Sequence, residues 1–227
     1  MAGPSSIGSE VPFPEVHDPA LLVIGYAGRD QATVQHHIDE LAAIGIAAPP
    51  HVPMVYDLSP ELVTSESVVT VAGARTSGEV EPVLVRAGGA WYLALGSDHT
   101  DRELEAEDIR TSKAVCPKPV SRTAIRLDGD PVTGDLDAGW DAIAVSSAID
   151  GLAYQRGSLA ALRVPSDLIA HAIASDPAGD LVIFCGTVPL IDGAFRYGAH
   201  FSASLDVDGC TLHLEYDASV QPVASVG

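Results

Sequence analysis

The feature that most constrains this chain is a set of short, Val-rich runs joined by tight glycine turns. Val80 to Arg86 and Trp91 to Leu95 flank Ala87-Gly88-Gly89-Ala90, and the stretch Val145 to Leu162 turns back on itself at Asp150-Gly151. Phe201 to Val207 and Thr211 to Tyr216 are joined through Asp208-Gly209. Such turns match the right-handed twist of paired strands, so each unit reads as an antiparallel hairpin. Further strands are expected at Leu21 to Tyr26, Ser67 to Ala72 and Asp180 to Cys185. Two segments depart from this pattern. Between Asp30 and Ile44, the apolar residues Val34, Ile38, Leu41 and Ile44 recur at helical spacing. Pro165 to Ala174 carries proline in its first turn, with Ser166 or Asp167 near the cap. Pro49, Pro50 and Pro53 end the first helix and impose an extended segment. The whole reads as an α+β fold in which β structure dominates.

Residues 1–19, rich in Gly, Ser and Pro, read as an irregular lead-in to a single domain spanning 20–227. Asp98 to Arg110 reads as an exposed, charged stretch and Asp128 to Gly139 as a polar loop. The chain sets 12 basic residues against 31 acidic ones, a formal charge of -19. Nucleic acids and anionic membranes are recognised through clustered Lys and Arg, so neither is an expected partner. No apolar run approaches the roughly 18 residues of a membrane span. The first ten residues lack the basic-then-apolar order of a signal peptide. Cys116, Cys185 and Cys210 form no CxxC pair or ligand-like spacing, which argues against a disulfide framework or a zinc site. A cytoplasmic location is expected.

Three groups of residues could carry chemistry. Glu79-Val80-Glu81 lies in a β-run, so alternation places both carboxylates on one face, about 7 Å apart. Facing a buried region they would repel unless a cation lay between them; on an edge strand they would be two solvated acids. Asp98 follows the strand Trp91 to Leu95, where it is either a turn residue or a third oxygen donor for Mg²⁺ or Mn²⁺. Lys113 is either a surface charge or, in a cleft, a stabiliser of an oxyanion. On the first helix His37 and Glu40 are three apart and share a face. That pair suits a base oriented by a carboxylate, and equally a solvated helix face.

Taken in order, these residues resemble the motifs of the fumarylacetoacetate hydrolase superfamily over roughly residues 21 to 217. The matching elements are His37-Ile38-Asp39-Glu40, then Pro49-Pro50-His51-Val52-Pro53, then Gly78-Glu79-Val80-Glu81. Ser97-Asp98-His99-Thr100-Asp101-Arg102-Glu103-Leu104 and Ser112-Lys113-Ala114-Val115-Cys116-Pro117 follow. The last are Tyr154-Gln155-Arg156-Gly157-Ser158 and Gly179-Asp180-Leu181-Val182-Ile183-Phe184-Cys185-Gly186-Thr187. The resemblance implies a mixed β-sandwich roll with a few helices, usually dimeric. It also implies a divalent metal, Mg²⁺ or Mn²⁺ with Ca²⁺ as a further candidate, held by Glu79, Glu81 and Asp98. Lys113 would stabilise an enolate or oxyanion, and His37 with Glu40 would activate water under a mobile lid. Arg102, Gln155 and Thr187 would bind substrate or support the site.

Several positions depart from the family pattern. Val55-Tyr56-Asp57 stands where the family has Phe-x-Lys, Ser97 replaces Asn, His99 replaces a small apolar residue, and Val188 replaces Pro. The chain is therefore identified with a divergent branch, and its substrate is not taken to be fumarylacetoacetate. The expected activity is hydrolysis of a carbon–carbon bond in a small acylpyruvate-like or dioxo acid. A decarboxylase, isomerase or hydratase acting on a related acid is the alternative within enzymes. A non-catalytic metal- or metabolite-binding protein on the same scaffold is the alternative outside them.

Overall fold

A computed structural model describes residues 7–43, 48–174 and 179–221, excluding the side chains of Ile7, His37, Glu40, Leu41 and Ala43. The hairpin signals build two sheets. The larger has seven strands in the order β1 (Ile7–Pro12), β11 (Thr123–Leu127), β8 (Ala90–Ser97), β7 (Val80–Ala87), β14 (Leu181–Phe184), β2 (Ala20–Gly25) and β3 (Met54–Leu58). The smaller has five, β13 (Leu152–Ser158), β12 (Ala144–Ile149), β15 (His200–Val207), β16 (Cys210–Val220) and β5 (Val68–Val71). Two short ladders stand apart: β6 (Thr76–Ser77) with β9 (Thr100–Asp101), and β4 (Val63–Thr64) with β10 (Lys118–Pro119). The helices are α1 (Gln31–Ala43), α2 (Arg102–Glu105), α3 (Ile109–Ala114), α4 (Asp137–Trp140) and α5 (Pro165–Ile173). None is long and apolar enough to cross a membrane.

Alternation along the strands generates two cores. Leu22, Ile24, Leu84, Leu93 and Leu95 pack with Leu205, Leu212, Leu214 and Tyr216, filling the space between the sheets. Their neighbours Leu21, Val23, Val83, Val85, Ala94 and Phe184 form a second cluster on the opposite face of the larger sheet. Strands buried on both faces need near-continuous apolar sequence, as Ala20–Gly25 and Leu181–Phe184 supply. Leu84 and Leu93 are fully buried, so truncating either to Ala is expected to cost about 2–5 kcal/mol. Ile109 and Ala114 of α3 pack against the second cluster, and that face carries the site.

Three expectations are corrected. The irregular lead-in is not irregular throughout, because Ile7–Pro12 pairs antiparallel with β11 and completes the sheet edge. Nor is Asp98 to Arg110 uniformly exposed: Asp98, His99, Thr100, Asp101 and Arg102 are buried. The charges of Asp98 and Arg102 are matched by ion pairs, and Asp101 forms a helix cap. The Asp101 side chain accepts from Glu103 N and Leu104 N and starts α2, while Asp108 accepts from Thr111 N and starts α3. The polar loop Asp128 to Gly139 contains a 3₁₀ turn at Pro131–Thr133 and runs into α4. Val164 caps α5 without a side-chain bond, and Ser166 instead donates to Asp137 Oδ2 at 2.5 Å.

Candidate metal centre

The β7–β8 hairpin decides where the acids go. Gly88 and Gly89 take positive φ values of 55° and 82°, the conformation this two-residue turn requires. Ala87 then pairs with Ala90, and the register runs on to Glu81 opposite Gly96 and Val80 opposite Ser97. One step further, Asp98 N donates to Glu79 O at 2.9 Å. Glu79, Glu81 and Asp98 thereby reach the same side of the sheet, with one oxygen from each within 4.8 Å of the others.

Three charges this close repel. At an effective dielectric constant near 20, a pair at that separation costs about 3 kcal/mol. Two responses are visible. Burial alone would raise the Asp98 pKa, but Lys113 and Lys118 reverse the effect and hold it at about 2. Glu81 is pushed well above the usual carboxylate range by burial, and next by the charge of Asp98. Gly186 N, donating to Glu81 Oε2 at 2.9 Å, only partly offsets this. Gly186 has φ +94° and a Cβ there would stand 2.6 Å from Ala27 Cβ, so glycine is required at this donor. A further positive charge between the three carboxylates would relieve this repulsion. Three hard oxygen donors converging from a rigid hairpin fit a divalent cation such as Mg²⁺ or Mn²⁺.

The cations are arranged in depth. Lys113, on α3, pairs with Asp98 Oδ2, and the surrounding acids keep its ammonium charged despite burial. Lys118 lies behind it with no exposed surface. Its Nζ donates to the carbonyls of His99 (2.7 Å), Lys113 (2.5 Å) and Cys116 (3.0 Å), and sits 3.2 Å from Asp98 Oδ1. Nothing in the sequence singled out Lys118, since its role comes from packing around Cys116 to Pro119. Arg102 reaches Glu79 through Nη2 at 3.3 Å and Glu105 through Nη1 at 2.9 Å, and its Nε donates to Ser77. Its Nη2 is buried without a hydrogen-bond partner, and its guanidinium lies 4.0 Å from the Phe195 ring centroid.

A cavity of about 980 Å³ opens against this centre. Glu79, Glu81, Arg102, Lys113 and Thr187 line it, whereas Asp98 and Gln155 do not. Gln155 spends all its bonding capacity inside the protein. Its Oε1 accepts from Val80 N (2.9 Å) and Ser147 Oγ (3.0 Å), and its Nε2 donates to Thr187 Oγ1 (2.7 Å) and Val188 O (2.8 Å). It is a latch between β7, β12 and the Gly186–Val188 turn, in keeping with the supporting role that was one of its two expected roles. Beneath Asp98, His99 bonds Tyr216 Oη through Nδ1 and Thr76 Oγ1 through Nε2. Burial, with the charges of Lys118 and Arg102 adding to it, lowers the His99 pKa to about 3. α1 contributes Thr33 and Val34 to the cavity wall. The side chains of His37 and Glu40, one turn further along, lie outside the described residues.

A family model described as a protein of unknown function, DUF2848, matches residues 24–216. The chain belongs to that family. Among curated proteins, no sequence matches it. Solved structures share its fold. The 5-carboxymethyl-2-hydroxymuconate delta-isomerase of Mycobacterium smegmatis is 16% identical, with 92% of this chain and 81% of that one covered and a TM-score of 0.60. A protein assigned provisionally as a fumarylpyruvate hydrolase, from Burkholderia cenocepacia, is 20% identical over 98% of this chain and 97% of that one, with a TM-score of 0.58. A fumarylacetoacetate hydrolase family protein of yeast is 12% identical over 90% of this chain and 94% of that one, with a TM-score of 0.59. The fold is thus the one shared by these structures, that of the fumarylacetoacetate hydrolase family protein of yeast among them.

Proposed function

We propose that this protein is a divalent-metal-dependent enzyme that hydrolyses a carbon–carbon bond in a small acylpyruvate-like or dioxo acid. The observation that carries the reading is the convergence of Glu79, Glu81 and Asp98 within 4.8 Å beside a large cavity, with Lys113 on its wall. Glu79, Glu81 and Asp98 would hold Mg²⁺ or Mn²⁺, which supplies Lewis acidity towards the oxo and carboxylate oxygens of the substrate. Lys113 places a fixed positive charge where the oxygen of a leaving enolate gathers negative charge. Arg102, paired with Glu79 and Glu105, would support the site by holding the Glu79 carboxylate in place. His37 with Glu40 is the proposed water-activating pair, by the resemblance of the helix motif. In the overall change water adds to the acyl carbon, the bond to the pyruvate unit breaks, and that unit takes up a proton at carbon.

The isomerase among the structural neighbours supports a second reading, isomerisation at the same centre without an attacking water. A homodimer is part of the proposal through the same resemblance, and light scattering tests it. The activity test is release of pyruvate from a panel of acylpyruvates by protein stripped with chelator and then restored with Mn²⁺. Metal-dependent pyruvate release supports hydrolysis. Substrate loss without pyruvate, unaffected by His37→Ala, would favour the second reading, and no conversion of any oxo acid would overturn both.

A further inference from the structure

Resting on that reading of the site, we infer that the substrate is an oxo acid whose remaining portion is uncharged and apolar, not a dicarboxylate. All 12 lysines and arginines can be placed, because the segments outside the described residues contain none. Three of them line the cavity: Arg29, Arg102 and Lys113. Each is already matched by carboxylates of the protein. Lys113 is paired with Asp98, and Arg102 with Glu79 and Glu105. Arg29 grips Asp141 through both terminal nitrogens, at 2.9 and 2.7 Å, while its Nε donates to Leu162 O. That bidentate grip uses the guanidinium fork a substrate carboxylate would need.

The rest of the wall repeats the message. Ile24, Val34, Ile109, Leu162, Leu190 and Phe195 face the same space. The acids on the wall, Asp30, Glu79, Glu81 and Glu105, outnumber its cations. A second carboxylate in this cavity would lose its water and gain no unpaired cation. An alkyl or aryl group would instead bury against apolar side chains. About 980 Å³ also far exceeds what an oxo-acid head requires, so the volume is there for such a group. The tricarboxylate named for the isomerase neighbour from Mycobacterium smegmatis is therefore a poor guide to this substrate.

The test compares two inert ligands with one head group, 4-methyl-2-oxopentanoate and 2-oxoglutarate, titrated calorimetrically into the full chain with Mn²⁺ present. The branched acid is expected to bind at least about tenfold more tightly, the scale on which pockets discriminate through such groups. Asp141→Asn, which frees Arg29 at an exposed position, is expected to strengthen 2-oxoglutarate binding and leave the branched acid unchanged. Equal or tighter binding of 2-oxoglutarate by the native protein overturns the inference and leaves the proposed function standing. Failure of both acids to bind to protein that does bind Mn²⁺ overturns the oxo-acid reading and the inference with it.

Discussion

Asp98 and Glu79 are joined through the backbone, Asp98 N to Glu79 O at 2.9 Å, in continuation of the β7–β8 register. The side chains of the site are thus set by a hairpin turn ten residues away. Inserting one alanine between Gly88 and Gly89 should shift that register and turn Asp98 to the opposite face. We expect the insertion variant to lose Mn²⁺ affinity by at least tenfold while keeping a native-like circular dichroism spectrum. Unchanged affinity would detach the metal centre from the hairpin. A compensating deletion in β8 should restore part of the binding.

Gln155 should behave as a structural residue. Gln155→Ala leaves Val80 N, Ser147 Oγ and Val188 O without their partner, all in a buried setting. Such losses cost about 1–3 kcal/mol for an unsatisfied buried group. In a chain of this size that corresponds to a fall in Tm of roughly 3–10 °C. Thermal unfolding checks it; an unchanged Tm with a raised KM would instead return Gln155 to substrate binding.

Lys118 and Lys113 should differ in kind. Lys118→Met strands three carbonyls and one side of Asp98 in a fully buried site, and a loss of about 3–5 kcal/mol is expected, as for other broken buried pairs. Lys113→Met leaves Asp98 its second lysine. Its main effect is expected on turnover, about 100-fold or more if it stabilises an oxyanion. Denaturant titration and steady-state kinetics on both variants separate the two roles. Equal stability losses with equal kinetics would contradict the assignment.

His99 gives the pH dependence. In the folded chain it stays neutral down to about pH 3, chiefly through burial, whereas an unfolded histidine takes up a proton near pH 6.5. The unfolded state therefore binds more protons between those values, and stability falls as pH drops from about 6.5 towards 3. The slope attributable to His99 approaches about 1.4 kcal/mol per pH unit. His99→Gln should flatten the decline of Tm between pH 6 and pH 4. A slope identical to that of the native protein would show that His99 is not the linked group.

Much of this was legible in the sequence, for local reasons. Alternation in Glu79-Val80-Glu81 and the two-glycine turn at Gly88-Gly89 together contain the register that brings Asp98 beside them. The hairpins at Asp150-Gly151 and Asp208-Gly209 fell where their turn residues placed them. What escaped is non-local. β1 and β11 pair across more than a hundred residues of chain, and neither carries a turn signal for its partner. The charged composition of Asp98 to Arg102 suggested solvent, yet ion pairs with Lys113, Lys118, Glu79 and Glu105 match the buried charges of Asp98 and Arg102. The caps Asp101 and Asp108 were readable signals for α2 and α3 that the run of charge obscured. Gln155 was found by its motif, but whether it faces substrate or backbone depends on four distant partners.

The most direct measurement is calorimetric titration of Mg²⁺ and Mn²⁺ into the native protein, Glu81→Gln and Asp98→Asn, with circular dichroism checking each fold. Single-site binding by the native chain, lost or weakened at least tenfold in both folded variants, is the expected result. No binding by the native protein, or equal binding by all three, would contradict the metal centre on which the proposed chemistry stands.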